Sequence, residues 1–437
     1  MLSVPLKKIL ILAYDYPPNP SVGAQRPAAW MRYLPGHGLQ PVVVTRHWEP
    51  PFRQASDTLR PASGPICREE DARGAVTVRV PFRPNLRDRL ILRFGTSRLD
   101  GLRKALSFFY AIAPFFSSFF DEKAGIYRAA EELIRKEAPA LIIATGEPFV
   151  LFRYAAKLSK KYGIPWVADY RDAWSLNYSM RHSGRGRRWL YQYLYPPIER
   201  SVVRSAASVM TVSPALCREL GDFLGRELHL LPNGFPEEIA DIPPEARDPQ
   251  APFTLAYAGS LYDHQRVEVF LAGLRDFLLD KELAADELKV FFYGLNFNPR
   301  QRDRVRNFDP ALRPYLHLSD RMPYARLIAK LKNADLLLLF ANEAIDGSCM
   351  KVYDYIALGK PVLLAVNDHG SMEALLKETG NAFLCDDAED VKRALSEAFE
   401  EFRKNGRLKS TALHTGKYSR ENSVRQLAKI IAELCAE

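Results

Sequence analysis

Hydrophobic positions in this chain come in short unbroken runs, each set off by loop residues. Ile9-Leu10-Ile11-Leu12-Ala13 is one such run and Pro41-Val42-Val43-Val44-Thr45 is the next. Between them lie a Pro-, Asn- and Gly-rich loop from Asp15 to Gly23 and a helical pattern around Ala28-Ala29-Trp30-Met31, ending at Gly36 and Gly38. A run without polar alternation reads as a strand covered on both faces, and strand–loop–helix–strand is the unit of a parallel sheet. The unit recurs with a strand at 141–144, a helix over 149–162, and strands at 165–169 and 208–212. The pattern changes near Leu231-Pro232-Asn233-Gly234. Residues 236–252 carry Pro236, Pro243, Pro244, Pro249 and Pro252 among acidic residues, the composition of a linker. A second set follows, with strands expected at 254–259, 288–294, 334–339 and 361–364, helices between them, and a last helix over about 420–435. The fold class is therefore α/β, with two doubly wound, Rossmann-like domains. The expected divisions are 1–235, a linker at 236–252, 253–412, and a terminal helix within 413–437.

Length and composition narrow this further. A chain of 437 residues, 47% hydrophobic and 26% charged, is that of a soluble globular protein of two or three domains. Bulk disorder, a collagen repeat and a disulfide scaffold are excluded. Cys67, Cys217, Cys349, Cys385 and Cys435 are scattered and form no C-x-x-C pair, which argues for a reducing compartment and against a zinc site. His37, His229 and His317 show no ligand spacing, so no metal site is expected. The N-terminal residues lack the pattern of a secretory signal, and no apolar stretch reaches the roughly 18–20 residues of a spanning helix, so a cytoplasmic location is expected.

The net charge of +9 is unevenly placed. Residues 73–104 hold nine Arg or Lys and two Asp, and the aromatic-rich run 106–120, broken by Pro114, follows directly. This pairing suits a membrane-surface anchor, with cations for anionic headgroups and rings for the interface. It equally suits a buried helix beside a solvated basic loop. A nucleic-acid role is not expected, because no recognition motif accompanies the charge.

The segment with the most chemical promise runs from Asp346 to Val362. A Gly-Ser turn opens a helix that Gly359 and Pro361 close, with Ser348 as N-cap. Free amides of the first turn can hold phosphate oxygens, and Lys351 adds charge there. Asp354 lies one turn beyond Lys351 on the same face, where its carboxylate can accept two hydrogen bonds from a ribose diol. The alternative is an amphipathic helix with an incidental ion pair between Lys351 and Asp354.

This segment resembles the donor-binding motif of retaining glycosyltransferases of the GT-B fold, family 4. That motif has two acids separated by seven residues, the first followed by Gly, and a helix ending in Gly-Lys-Pro-Val. Here the acids are Asp346 and Asp354, each one methylene shorter than the usual glutamate. The resemblance implies that Asp354 takes the ribose hydroxyls and that Asp346 faces the sugar. Tyr257-Ala258-Gly259-Ser260-Leu261-Tyr262 resembles the first strand and loop of the family's donor domain, with Ser260 where Arg is more common and Arg266 as the pyrophosphate ligand. Leu231-Pro232-Asn233-Gly234-Phe235 resembles the hinge, and the tail helix the one that returns to the first domain. The loop from Tyr14 to Arg26 resembles the family's first loop, where Gly23 permits close approach of a diphosphate or acceptor. No G-x-G-x-x-G follows that strand, which argues against a nicotinamide dehydrogenase.

Ala168-Asp169-Tyr170-Arg171-Asp172-Ala173-Trp174 resembles a family segment at a strand's carboxyl end, where ligands sit in open α/β sheets. Asp169, Arg171 and Asp172 are candidates to bind acceptor hydroxyls or organise the cleft, or else form a structural Arg–Asp network. The histidine many members carry after the 141–144 strand is missing. Glu147 stands in that region, without an assigned role. The resemblance thus implies two Rossmann-like domains facing across a cleft, acceptor on 1–235 and nucleotide-sugar on 253–412, with a basic and aromatic insertion at about 73–120. It implies Asp346, Asp169 and Arg171 as catalytic, and Gly23, Gly259, Ser260, Arg266, Ser348, Lys351 and Asp354 as donor-binding. No cofactor or metal is expected. The donor would be a UDP- or GDP-sugar, and the acceptor a glycan or lipid-linked oligosaccharide. The setting would be polysaccharide or glycolipid synthesis at the inner face of the cytoplasmic membrane. The rival expectations are an inactive sugar-nucleotide-binding homologue and a GT-B sugar-nucleotide epimerase.

Overall fold

The structure is a computed structural model. It describes residues 6–436 except 53, 97, 249, 342–349, 381, 411–412 and 414, and except the side chains of 55 and 179. It divides into two units, Met1–Pro232 with Ser423–Glu437, and Asn233–Asn422.

The first unit holds an eight-stranded sheet. Its strands are β1 (Lys7–Leu12), β2 (Leu39–Arg46), β3 (Cys67–Glu70), β4 (Val76–Val80), β5 (Leu141–Gly146), β6 (Trp166–Tyr170), β7 (Ser208–Thr211) and β8 (His229–Leu230). The order is β3-β4-β2-β1-β5-β6-β7-β8, with only β3 antiparallel to its neighbour. The unbroken apolar runs have a direct cause, since both faces of the sheet are covered. Leu10, Val42, Val44, Ile142 and Ala144 pack under the helices Ala124–Glu137 and Val150–Tyr162. Ile9, Ile11, Val43, Ile143 and Val167 pack instead with Trp30 and Met31 of the helix Gln25–Tyr33, and with Val424, Leu427 and Ile431 of the terminal helix Arg420–Leu434.

The second unit holds a six-stranded sheet, all parallel. Its strands are β9 (Phe253–Ala258), β10 (Leu288–Tyr293), β11 (Leu316–Leu318), β12 (Leu336–Leu339), β13 (Val362–Ala365) and β14 (Ala382–Cys385), in the order β11-β10-β9-β12-β13-β14. The segment expected as a linker, 236–252, lies within this unit. Ile239 is buried, and Arg247 grips both carboxylate oxygens of Asp335 at 2.8 and 2.7 Å and the Asn333 carbonyl at 2.8 Å. Apart from a single 3-10 turn at Glu237–Ile239 the segment is an irregular strap, and its prolines do not prevent it from packing.

The helix Asp100–Phe116 overturns the buried-helix alternative. Although rich in apolar residues, its only buried residue is Pro114. Ala111, Ile112 and Phe115 rest against the core, with Phe115 stacked 5.1 Å from Trp174, while Leu102, Phe108, Phe109 and Phe116 are exposed. Among the described residues no helix is long and apolar enough to cross a membrane.

Candidate functional site

Three adjacent parallel strands of the first unit, β1, β5 and β6, end together. Asp15 lies just beyond β1, Glu147 follows β5, and Arg171 and Asp172 follow β6. The Arg171 guanidinium donates to the Glu147 carbonyl at 2.8 Å and to the Gly146 carbonyl, and its Nη2 lies 3.7 Å from Asp15 Oδ2. Gly23 makes this arrangement possible. A Cβ there would lie 1.6 Å from Arg171 Nη1 and 2.8 Å from Asp15 Oδ2. Desolvation pushes the carboxyls of Asp15, Glu147 and Asp172 above the usual range. Arg171 partly offsets this in each case, whereas Asp172 adds to it for Glu147. Three carboxyls around one guanidinium, at strand ends, form a site suited to a polyhydroxyl ligand.

Asp169 is not part of that site, and its expected catalytic role is corrected. It is 0% exposed and accepts from Arg26 Nη2 at 2.8 Å and from Arg26 Nε at 3.0 Å. Arg26 Nη1 also donates to the Leu231 carbonyl at 2.7 Å. The reason is positional. Asp169 is the fourth residue of β6 and faces a covered layer, whereas Arg171 is the first residue beyond the strand. Asp169 is thus structural, as the alternative reading had it, but its arginine is Arg26 rather than Arg171, and the pair fastens the helix Gln25–Tyr33 to the sheet.

In the second unit, β9 ends in a tight turn with Gly259 at φ +93°. A Cβ at Gly259 would sit 3.2 Å from Lys351 Cε. Lys351 Nζ donates to the Tyr257 hydroxyl at 2.5 Å and to the Ser260 carbonyl at 3.0 Å, and lies 4.2 Å from the Tyr257 ring centroid. The Ser260 hydroxyl accepts from Arg321 at 3.3 Å, and that guanidinium lies 3.5 Å from the Phe297 ring centroid. Arg266, the expected phosphate ligand, is exposed at the start of the helix Val267–Lys281, and Arg321 joins Lys351 as a second cation at Ser260. Asp354 does not pair with Lys351 among the described residues. It accepts from the Tyr324 hydroxyl at 2.8 Å, and Arg420 is its charged neighbour. Burial pushes its carboxyl up to about 6, which Tyr324 and Arg420 only partly oppose. A cavity of about 370 Å³ opens beside Arg321, lined by Phe291, Tyr293, His317, Met322 and Lys330. Asp346 and Ser348 lie outside the described residues. Among the described residues, no group of three or more His, Cys, Asp and Glu could hold a metal ion.

Residues 23–234 match the family model of the glycosyl transferase 4-like domain. The chain carries a glycosyl transferase 4-like domain. The resemblance read from the donor motif thus meets an independent match in the other half of the chain. Solved structures are similar over nearly the full length. A sucrose-phosphate synthase from Thermosynechococcus elongatus has 14% identity and a TM-score of 0.61, covering 98% of this chain and 99% of that one. HepE from Anabaena, in complex with UDP and glucose, has 13% identity and a TM-score of 0.59, covering 98% and 100%. The catalytic domain of starch synthase IV from Arabidopsis thaliana, bound to ADP and acarbose, has 12% identity and a TM-score of 0.59, covering 99% and 100%. No curated protein sequence matches the chain.

At such identities the likeness establishes the fold, which is GT-B, with two Rossmann-like domains as expected. The glycosyl transferase 4-like match begins at Gly23 and takes in the Arg26–Asp169 pair and Arg171. Sequence reading missed Asp15 and Arg321 as site residues and gave Glu147 no role. A signal was present for Glu147, which directly follows β5, and for Asp15, which lies three residues beyond β1. For Arg321 there was none, because its contact with Ser260 spans 61 residues.

Proposed function

We propose that this GT-B glycosyltransferase moves a sugar, with retention of anomeric configuration and without a metal ion, from a nucleotide-sugar to an acceptor hydroxyl. The observation that carries the reading is the turn after β9, where Lys351 and Arg321 converge on Ser260 while Asp354 lies one helical turn from Lys351. Lys351, Arg321 and Arg266 meet the diphosphate, and Asp354 accepts from the ribose hydroxyls. Asp346 and Ser348 belong to the same donor site. The relatives holding UDP with glucose, and ADP, support a nucleotide donor, and a UDP- or GDP-sugar fits best. The acceptor lies on Asp15, Glu147, Arg171 and Asp172. The C1–O bond to the diphosphate breaks as the acceptor oxygen bonds to C1 from the same face. The acceptor proton passes to a leaving phosphate oxygen, whose charge the cations hold. The exposed apolar helix Asp100–Phe116 supports a lipid-linked or membrane-proximal acceptor. This agrees with synthesis of an envelope polysaccharide or glycolipid at the inner face of the cytoplasmic membrane.

Thermal melting with UDP, GDP, ADP and CMP tests the donor site. One nucleotide will raise Tm, to the same extent with magnesium and with a chelator, because a ligand at 100 times its Kd adds about 2.7 kcal/mol to the native state. Absence of any shift with all four would overturn the reading. Gly23→Ala tests the acceptor site. The added methyl must displace Arg171, so kcat/KM for the acceptor will fall about 10- to 100-fold while the nucleotide shift is unchanged. A nucleotide shift lost together with activity would place Gly23 in donor binding, as first expected.

A further inference from the structure

The exposed helix Asp100–Phe116 has a neighbour that its own sequence does not announce. The Phe108 and Trp189 rings lie 6.3 Å apart, and a Cβ at Gly186 would touch Phe108 at 3.6 Å. The Tyr195 hydroxyl donates to the Ala111 carbonyl at 2.9 Å. Segment 181–193 therefore continues the surface of that helix and of the turn Ser118–Phe120. Large apolar groups crowd this surface. Phe116 is 66% exposed, Phe119 87%, Trp189 47% and Tyr193 67%. Segment 181–193 also contains Arg181, Arg185, Arg187 and Arg188 and no acid. Arg185, Arg187 and Arg188 are exposed, and none has a carboxylate within 4.0 Å among the described residues. An apolar patch of this kind on a soluble chain needs a partner.

We propose that the helix Asp100–Phe116, the turn Ser118–Phe120 and segment 181–193 together form one docking face for an anionic phospholipid bilayer. Phe116 and Phe119 bury apolar area at the acyl boundary, Trp189 and Tyr193 sit in the headgroup zone, where rings with one polar edge are favoured, and Arg185, Arg187 and Arg188 hold lipid phosphates. The charge decides between occupants. A second copy would bring two acid-free arginine segments against each other, whereas anionic lipid neutralises them. The proposal deepens the acceptor reading above and rests on it for its purpose. Tyr191 of the same segment turns inward onto Tyr195, with rings 4.9 Å apart, and feels the charges of both Arg187 and Glu147. The docked face therefore lies next to the Glu147–Arg171 cluster, where a lipid-borne acceptor is needed.

The test uses the full chain with vesicles of phosphatidylcholine alone or mixed with phosphatidylglycerol. The chain will sediment with the anionic vesicles and stay in solution with the neutral ones. Replacing Arg187 and Arg188 together by Gln will lower partitioning on the order of tenfold or more without changing Tm. Of the five tryptophans only Trp189 is exposed, the other four being buried. Brominated lipid will therefore quench the fluorescence of the parent chain, and Trp189→Phe will bind without quenching. Equal binding to neutral vesicles, or binding to neither, overturns the proposal. So does a dimer in velocity sedimentation that Phe119→Ser dissolves, which would assign the face to a second copy. The nucleotide shift, measured on the same preparation, separates the two readings. If the shift persists without vesicle binding, only the docking face falls. If vesicles bind without any nucleotide shift, only the donor site falls.

Discussion

Asp354→Asn will lower kcat/KM for the nucleotide-sugar by about 10²–10³-fold and will leave the fold intact. A hydrogen bond to a charged acceptor contributes about 1.5–3 kcal/mol, and the ribose diol offers two. Asn supplies one acceptor oxygen and turns a donor NH₂ toward the second hydroxyl, so both bonds suffer. Stability follows the opposite course. The folded-state pKa of Asp354 lies near 6, above its unfolded value, so the folded chain holds this proton more tightly than the unfolded chain. That contribution to stability is complete below pH about 4 and is lost as pH rises through 6. A neutral Asn that still accepts from Tyr324 escapes the loss. The variant will therefore melt at or above the parent temperature at pH 8, and its Tm will be flatter between pH 4 and 6. Ligand affinity carries the same titration. Only the ionised carboxylate accepts two hydroxyls, so the parent's nucleotide Kd will rise about tenfold per pH unit below 6. Melting curves and nucleotide titrations at pH 5 and 8 read both effects. An Asp354→Asn enzyme with undiminished kcat/KM would remove Asp354 from the donor site.

The contrast between Asp354 and Asp169 shows what the sequence could and could not expose. Strands such as Ile9-Leu10-Ile11-Leu12 were legible because cover on both faces leaves a purely local trace. Lys351 and Asp354 were legible as a pair on one helix because spacing alone sets that geometry. Their partners were not. Lys351 turns to Tyr257 and Ser260, and Asp354 to Tyr324, contacts that no local pattern encodes. Asp169 and Arg171 sit two residues apart in one motif, yet one ends inside the sheet and the other at its edge. Which residue lies where depends on where β6 stops, a boundary set by pairing with β5 and β7. The aromatic run at 106–120 was ambiguous for a related reason. Composition states how much apolar surface a helix has, and only the tertiary packing states which side is covered. Segment 181–193 carries no local signal of its own, and only the packing of Phe108 against Trp189 joins it to that helix.

Arg26→Met will destabilise the first unit by about 3–5 kcal/mol, because it leaves the fully buried Asp169 carboxylate without its cation. For a unit of this size that is roughly 6–20 °C in Tm. The loss is larger than that of an ordinary hydrogen bond, since desolvation of Asp169 was tolerable only while Arg26 met both of its oxygens. It also frees the Leu231 carbonyl that Arg26 holds, so the unfolding is expected to involve the end of the first unit as well as the helix Gln25–Tyr33. Adding Asp169→Leu to Arg26→Met removes the stranded charge and will restore most of the stability. A double-mutant cycle in urea measures this coupling directly. The same cycle decides the role of Asp169. As a structural partner, the restored double variant keeps the kcat of the parent at a temperature where it is folded. If Asp169 contacted the reacting sugar, the double variant would be stable and inactive. The buried geometry predicts the first result, and it leaves Arg171, beside Asp15, Glu147 and Asp172, as the residue of this motif that stands at the strand ends.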